Sequence, residues 1–231
     1  MLILDPDQTE DAVDSGLADP SRQPPSQLPP NVREFGFIPD CSGWLPGDLL
    51  LFSAIKKNYA QRLVVSAQRK LNYDTRHSEW HHAAVYIGER YICEARPPPW
   101  TRYCTVDDHV SGHRIRVRRG MNVSKDDGYR IAIQAMKRLN MPYSHTGVFR
   151  SVIQSLLSTL LLQVYTKNLV SSNLIRNFPR NEILCSQLFH DAFLEATGGV
   201  LVGKADVMVL PAELSGCSGL IDIQPHWLRL I

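Results

Sequence analysis

The chain has 231 residues, of which 44% are hydrophobic and 21% are charged, and its formal net charge is +2. This composition supplies enough apolar surface for a folded core and excludes a wholly disordered protein. No run of about 20 apolar residues occurs, so the sequence predicts no membrane-spanning helix.

The first forty residues differ in composition from the rest of the chain. They hold eight acidic residues against two arginines, and seven of the 15 prolines. Prolines remove backbone donors, and few apolar residues are available to offset the entropy lost on ordering. We therefore predict a flexible, acidic, proline-rich tail or extended arm over residues 1–40, followed by one folded domain over residues 41–231.

The cellular compartment is predicted from the start of the chain and from its cysteines. Residues 1–5 lack the basic and long apolar regions of a secretory signal. The five cysteines are odd in number and widely spaced, which is typical of reduced thiols. We therefore expect the protein to be made in the cytoplasm without a signal peptide.

Apolar periodicity predicts the elements of the domain in chain order. A turn and a buried strand over residues 44–52 precede a helix over residues 54–71. Further strands are predicted at 82–88, 91–95 and 113–118, helices at 124–141, 148–169 and 184–196, and strands at 205–210 and 220–223. Strands that precede most of the helices are typical of an α+β fold, in which an antiparallel sheet packs against helices.

The strand at 113–118 alternates strictly between apolar and basic residues. Ile115 and Val117 share one face, and Arg114, Arg116 and Arg118 share the other. This pattern predicts a half-buried strand with a basic, solvent-facing side. Because no stacking aromatic residues are interleaved with these arginines, we predict no nucleic-acid partner.

Three polar residues occur where an apolar core would not require them. His82 opens an apolar strand, Glu94 lies within the next strand, and Cys185 lies at the first turn of a helix. A thiol at a helix N-terminus is acidified by the helix dipole, an imidazole accepts its proton, and a carboxylate orients the imidazole. These residues are also compatible with a core cysteine, a capping histidine and a glutamate paired with Arg90 or Arg96.

Four short motifs in this order resemble the circularly permuted NlpC/P60 group of papain-like cysteine hydrolases, including its lecithin retinol acyltransferase-like and YiiX-like branch. The motifs are Pro46-Gly-Asp48, His82-Ala-Ala-Val-Tyr-Ile-Gly88, Ile92-Cys-Glu-Ala95 and Cys185-Ser-Gln-Leu-Phe189. The resemblance implies a papain-like fold whose helices include the nucleophile helix. It also implies a nucleophile at Cys185, a base at His82 and a third catalytic residue at Glu94.

Two further features are interpreted through the same resemblance. Residues 139–143 resemble the segment that brings a tyrosine beside the nucleophile, so Tyr143 is a candidate to support the oxyanion or the substrate. His81 is an alternative base, but strand alternation turns it to the opposite face from His82.

The stretch between Tyr143 and Cys185 is longer than the family pattern and predicts a helical insertion over about 147–180. Its leucine-rich helix, 148–169, has two interpretations: packing against the core, or forming a lid that contacts an acyl chain or a membrane surface.

Cys93, Cys104, His109 and His113 are residues of the types that bind metal ions. The His-x3-His spacing suits zinc, but the ten-residue gap between the cysteines is too wide for a usual zinc knuckle. We therefore predict no metal ligands and no cofactor.

The predicted function is a cysteine hydrolase that cleaves amide or peptide bonds, in bacterial peptidoglycan as the resemblance implies. The alternatives are a lipid acyl hydrolase or acyltransferase of the same fold, and a catalytically inactive binding module. A wall hydrolase without a signal peptide needs another export route. We therefore expect a specialised secretion system, an antibacterial effector role, and an immunity or secretion partner protein.

Overall fold

The computed structural model describes residues 2–11, 28–96, 100–142, 183–202 and 208–230. Its strands are β1 (Phe37–Pro39), β2 (Leu49–Ala54), β3 (His82–Gly88), β4 (Tyr91–Ala95), β5 (Thr101–Thr105), β6 (His113–Gly120), β7 (Leu220–Ile223) and β8 (Trp227–Arg229). Six of them form an antiparallel sheet in the order β5-β4-β3-β2-β6-β7, and β1 pairs with β8. The predicted α+β class is confirmed.

The helices are α1 (Pro30–Phe35), α2 (Tyr59–Lys70), α3 (Thr75–Ser78), α4 (Lys125–Met136), α5 (Cys185–Thr197) and α6 (Pro211–Gly216). The predicted start of α4 is confirmed: the Ser124 hydroxyl accepts from the Asp127 N–H at 3.1 Å, and the Asp127 carboxylate accepts from the Ser124 N–H. The helix predicted from residue 54 begins later, at Tyr59, because β2 continues to Ala54 and Asn58 caps the helix.

One face of the sheet packs against α4 and α5. Because side chains alternate along a strand, β2 sends Leu49 and Leu51 to this face, where they contribute to one core with Ile131 of α4 and Leu188 of α5. This core fixes the position of α5 against the sheet.

The second face is covered by the N-terminal segment and by the β1–β8 pair. Leu50 and Phe52 point to this side and belong to a second core with Leu4, Val32 and Trp227. The backbone of Leu4 pairs with that of Ile115 in both directions, at 2.7 and 2.9 Å. The described parts of the first forty residues therefore contribute apolar side chains to the folded domain.

The basic face predicted for β6 is not solvent-facing. Arg116 and Arg118 are only 4% and 6% exposed. The Arg116 guanidinium donates to the Asp222 carboxylate and to the Ser215 carbonyl oxygen, because β7 and α6 cover this side of the strand. The alternation was predicted correctly, but the apolar and basic sides are both buried.

Several predictions fall on residues that the structure does not describe. They are the leucine-rich helix 148–169, the insertion over about 147–180, Tyr143, and residues 12–27 of the predicted tail or arm. The strand predicted at 205–210 is described only from residue 208, and residues 208–210 form no strand. Within the described ranges, no helix has the length and apolar character needed to cross a membrane.

Candidate active site

The hairpin of β3 and β4 brings His82 and Glu94 together. Its tight turn has positive φ at both Glu89 and Arg90 (49° and 68°), the backbone shape that joins two antiparallel strands directly. The register pairs Ala84 with Glu94, so His82, two residues earlier in β3, lies diagonally across on the same face. The His82 Nε2 lies 2.7 Å from the Glu94 Oε2.

Cys185 is the first residue of α5. The preceding residue, Leu184, provides no side-chain cap, so the N–H groups of the first turn are not satisfied by a capping side chain. The backbone N–H groups of Ser186 and Ala83 and the side chain of His82 lie close enough to the Cys185 thiol to lower its pKa.

The three side chains therefore lie together, with His82 between the Cys185 thiol and the Glu94 carboxylate. All three residues are largely buried: Cys185 is 6% exposed, Glu94 is fully buried, and the His82 side chain is 13% exposed. His81, the alternative base, lies elsewhere, because its Nε2 accepts from the Ala54 N–H at 2.8 Å.

The electrostatics favour a charged pair between Cys185 and His82. Burial alone would lower the pKa of His82, but hydrogen bonds to Cys185 and Glu94, together with their negative charge, raise it above its usual value. Burial alone would raise the pKa of Cys185, but His82 and the two backbone donors lower it. A thiolate beside an imidazolium is the reactive form of a nucleophilic cysteine.

Burial alone would raise the pKa of Glu94, but its hydrogen-bonding partners lower it below its usual value. The imidazoles of His109 and His82 approach Oε2, so the carboxyl stays ionised although it is fully buried. The His109 Nε2 lies 3.2 Å from Oε2, and its ring stacks on Phe52 with centroids 4.2 Å apart.

The other carboxylate oxygen of Glu94 is held by β5. Arg102 lies directly opposite Glu94 in the register, and its Nε and Nη2 donate to Oε1 at 2.9 and 2.8 Å. The Cys104 thiol donates to the same oxygen at 3.4 Å. Sequence reasoning missed Arg102. An opposite-charge pair eight residues apart, on either side of a proline-rich loop, was the signal that could have found it.

Comparison with known proteins bears on the fold. No family model matches the chain, and no curated protein matches it. A solved structure described as the metalloprotein yiiX from Escherichia coli O157:H7 is similar with a TM-score of 0.52 and 14% identity, over 78% of this chain and 96% of that one. The chain has a YiiX-like fold.

That structure is described as a metalloprotein, which raises the question of whether residues of this chain could hold a metal ion. Within the described residues, one group of potential ligands was found, in which single donor atoms of Glu94, Cys104 and His109 lie within 4.8 Å of one another. These donor types suit zinc. Arg102, however, donates two hydrogen bonds to Oε1 and already brings a positive charge onto it, which a metal ion at this oxygen would have to displace. The cluster as folded therefore does not fit a metal ion.

Tyr143, the fourth residue predicted for the site, lies just beyond the described residues. The segment before it runs beside β5, since the Thr101 N–H donates to the Met141 carbonyl oxygen at 2.8 Å. The Ile183 N–H donates to the Pro142 carbonyl oxygen at 3.0 Å, two residues before Cys185. The backbone of Pro142 is thus hydrogen bonded to the segment that leads into Cys185, while the role of Tyr143 itself stays a prediction.

Proposed function

We propose that the chain is a cysteine hydrolase with Cys185 as nucleophile, His82 as general base and acid, and Glu94 as the residue that orients His82. The observation that carries the proposal is the convergence of these three side chains: the His82 Nε2 lies 2.7 Å from the Glu94 Oε2, and Cys185 lies close enough to His82 to raise its pKa. The order of the His82 strand before the Cys185 helix, which resembles the circularly permuted NlpC/P60 proteins, supports a papain-like assignment.

The proposed reaction begins when the Cys185 thiolate attacks a carbonyl carbon, so that a C–S bond forms and the carbonyl oxygen becomes an oxyanion. Backbone N–H groups at the first turn of α5, with Tyr143 as a further candidate, are the donors proposed for this oxyanion. The C–N bond then breaks, and His82 gives its proton to the leaving amine. His82 next takes a proton from water, which attacks the thioester, releases the acid and restores the thiolate.

The proposed substrate is an amide or peptide bond of bacterial peptidoglycan, which the resemblance favours. A lipid acyl bond is the second candidate, because residues 148–169 are rich in leucine and have the composition of an acyl-binding helix. A wall substrate leads us to propose export by a specialised secretion system, an antibacterial effector role, and an immunity protein as partner.

The direct test incubates the full chain with purified peptidoglycan and, separately, with phospholipid vesicles, and records product masses. We expect new amine and carboxyl termini from peptidoglycan, and none from the Cys185→Ala variant. Cys217→Ala is the matched control, because it removes another buried thiol, which donates to the Leu201 carbonyl oxygen. Free fatty acid instead of peptide fragments would move the assignment to lipid acyl chemistry, and no product from either substrate would favour a binding module.

The export proposal has its own test, in which the chain is directed either to the periplasm or to the cytoplasm of a bacterium. Lysis that occurs only in the periplasm and requires Cys185 is the expected result. Toxicity confined to the cytoplasm would contradict a wall substrate.

A further inference from the structure

Arg102 and His82 contact different oxygens of the Glu94 carboxylate. Both hydrogen bonds of Arg102 go to Oε1, and Oε2 is left to face the His82 Nε2 at 2.7 Å. Glu94 is fully buried, whereas the Arg102 side chain is 48% exposed. The buried member of the pair therefore has its orientation set by a residue at the surface.

A glutamate side chain has three rotatable bonds, so its buried position alone does not fix the direction in which the carboxylate points. A guanidinium that donates through two N–H groups fixes a carboxylate more strongly than a single point charge does. We propose that Arg102 is a positioning residue of this site: it fixes the direction of the Glu94 carboxylate so that the oxygen it leaves free meets His82, and it supplies the positive charge that the Glu94–Cys104–His109 cluster would otherwise draw from a metal ion.

The surroundings of Glu94 support the proposal that Arg102 supplies the charge that a metal ion would otherwise bring. Four donor side chains approach the two oxygens of Glu94: Arg102 and Cys104 at Oε1, and His82 and His109 at Oε2. Both ring nitrogens of His109 lack a well-aligned hydrogen bond although the side chain is only 2% exposed. Among the residues that touch Glu94 here, Arg102 carries a permanent positive charge, since a guanidinium does not lose its proton in proteins.

This inference rests on the proposed function, because Arg102 acts on the reaction only through Glu94 and His82. Its test therefore uses a reagent that needs no knowledge of the substrate. The rate of alkylation of Cys185 by iodoacetamide is followed from pH 5 to 9 by mass spectrometry of the Cys185 peptide. In parallel, the low-field N–H signal of His82 is recorded by NMR with ¹⁵N-labelled histidine.

We expect Arg102→Met to slow alkylation at pH 6 by roughly tenfold, the effect of losing a charge-assisted hydrogen bond, and to abolish the His82 low-field signal. Arg102→Lys keeps the charge but loses the paired donors. We expect its alkylation rate at pH 6 to lie between those of the unaltered chain and Arg102→Met.

Arg119→Met is the matched control. Arg119 also donates twice to a buried carboxylate, that of Asp48, at 2.7 Å to each oxygen, but at the other end of β2 from His82. We expect this variant to lose stability in thermal unfolding and to keep the alkylation profile and the His82 signal. Should either methionine variant fail to fold, the pair Arg102→Lys and Arg119→Lys carries the same comparison.

The possible results separate the two proposals. An unchanged profile and an unchanged His82 signal in Arg102→Met, or an equal loss in the Arg119 control, would overturn the role of Arg102 alone. Ordinary thiol reactivity of Cys185 in the unaltered chain would overturn the proposed hydrolase. A cobalt–thiolate absorption band that depends on Cys104, measured with Co²⁺ in the Cys185→Ala chain, would overturn the claim that Arg102 stands in for a metal ion.

Discussion

Two groups of buried charge lie at different places on the main sheet. One surrounds Glu94 on β4, and the other joins Arg116 and Arg118 of β6 to Asp222 of β7. Both satisfy their charges with short hydrogen bonds. They differ in their partners, because Glu94 faces an imidazole that is linked to a thiol, whereas Asp222 faces guanidinium groups that hold their protons. A buried charge marks a site of chemistry only when a neighbour can exchange a proton.

The largest effect is expected for His82→Asn, which removes the proton-exchanging partner from the Glu94 group. Without the imidazole, Cys185 should return towards the ordinary thiol pKa of about 8.5, so its alkylation rate at pH 6 should fall by roughly a hundredfold. The pH profile of iodoacetamide labelling measures this change. A rate at pH 6 equal to that of the unaltered chain would remove the distinction between the two groups of charge.

Arg116→Met tests the other group. It leaves Asp222 and the Ser215 carbonyl oxygen without their main donor. We expect the free energy of unfolding to fall by about 2 kcal/mol, which is less than for breaking a fully buried pair, since the Asp222 side chain is 23% exposed. Denaturant unfolding gives this value. Labelling of Cys185 should not change, and a shifted labelling profile would mean that the two groups are coupled.

Glu94→Gln removes the negative charge of the Glu94 group and keeps the size of the side chain. With the amide oxygen towards Arg102, the amide NH₂ would face the His82 Nε2, so two donors would meet. The ring would then change tautomer and lose its ability to accept the Cys185 proton, which should reduce alkylation at pH 6 by about tenfold. Glu195→Gln, in a surface pair with Arg138, is the control that should leave labelling unchanged.

The smallest effect is expected for Asp222→Asn, in the dependence of thermal stability on acidic pH. Burial alone would raise the pKa of Asp222, but the hydrogen bond and the charge of Arg116 lower it below its usual value. Its contribution to stability is therefore present above the usual pKa of an aspartate and is lost as the pH falls through the folded-state value. Thermal unfolding between pH 6 and 2 should show a slightly shallower loss for Asp222→Asn. Identical curves for both chains would assign the acid sensitivity to other carboxylates.

The sequence predicted the parts of the fold that depend on local signals. The hairpin of β3 and β4 followed from Gly88 and the apolar runs beside it, the start of α4 from Ser124, and the helix of Cys185 from its periodicity. In each of these elements the residues that decide the structure are neighbours along the chain.

Features that depend on what packs above a strand could not be predicted from the sequence alone. The alternation of β6 was clear, but its burial under β7 and α6 depends on residues about a hundred positions later. For the same reason, the three candidate catalytic residues were found by their types and order, whereas Arg102 and His109 emerged only when the strands were assembled. Their proximity to Glu94 is a property of the sheet.

The place of β5 at the edge of the sheet has a consequence for partial unfolding. An edge strand with partly exposed side chains opens locally at a lower free energy than a central strand such as β2, which is fully buried. Arg102 would leave Glu94 in such an opening while the rest of the molecule stays folded. Thiol reactivity should therefore fade in mild denaturant before the tertiary structure melts, and amide exchange should be fast along β5 and slowest along β2.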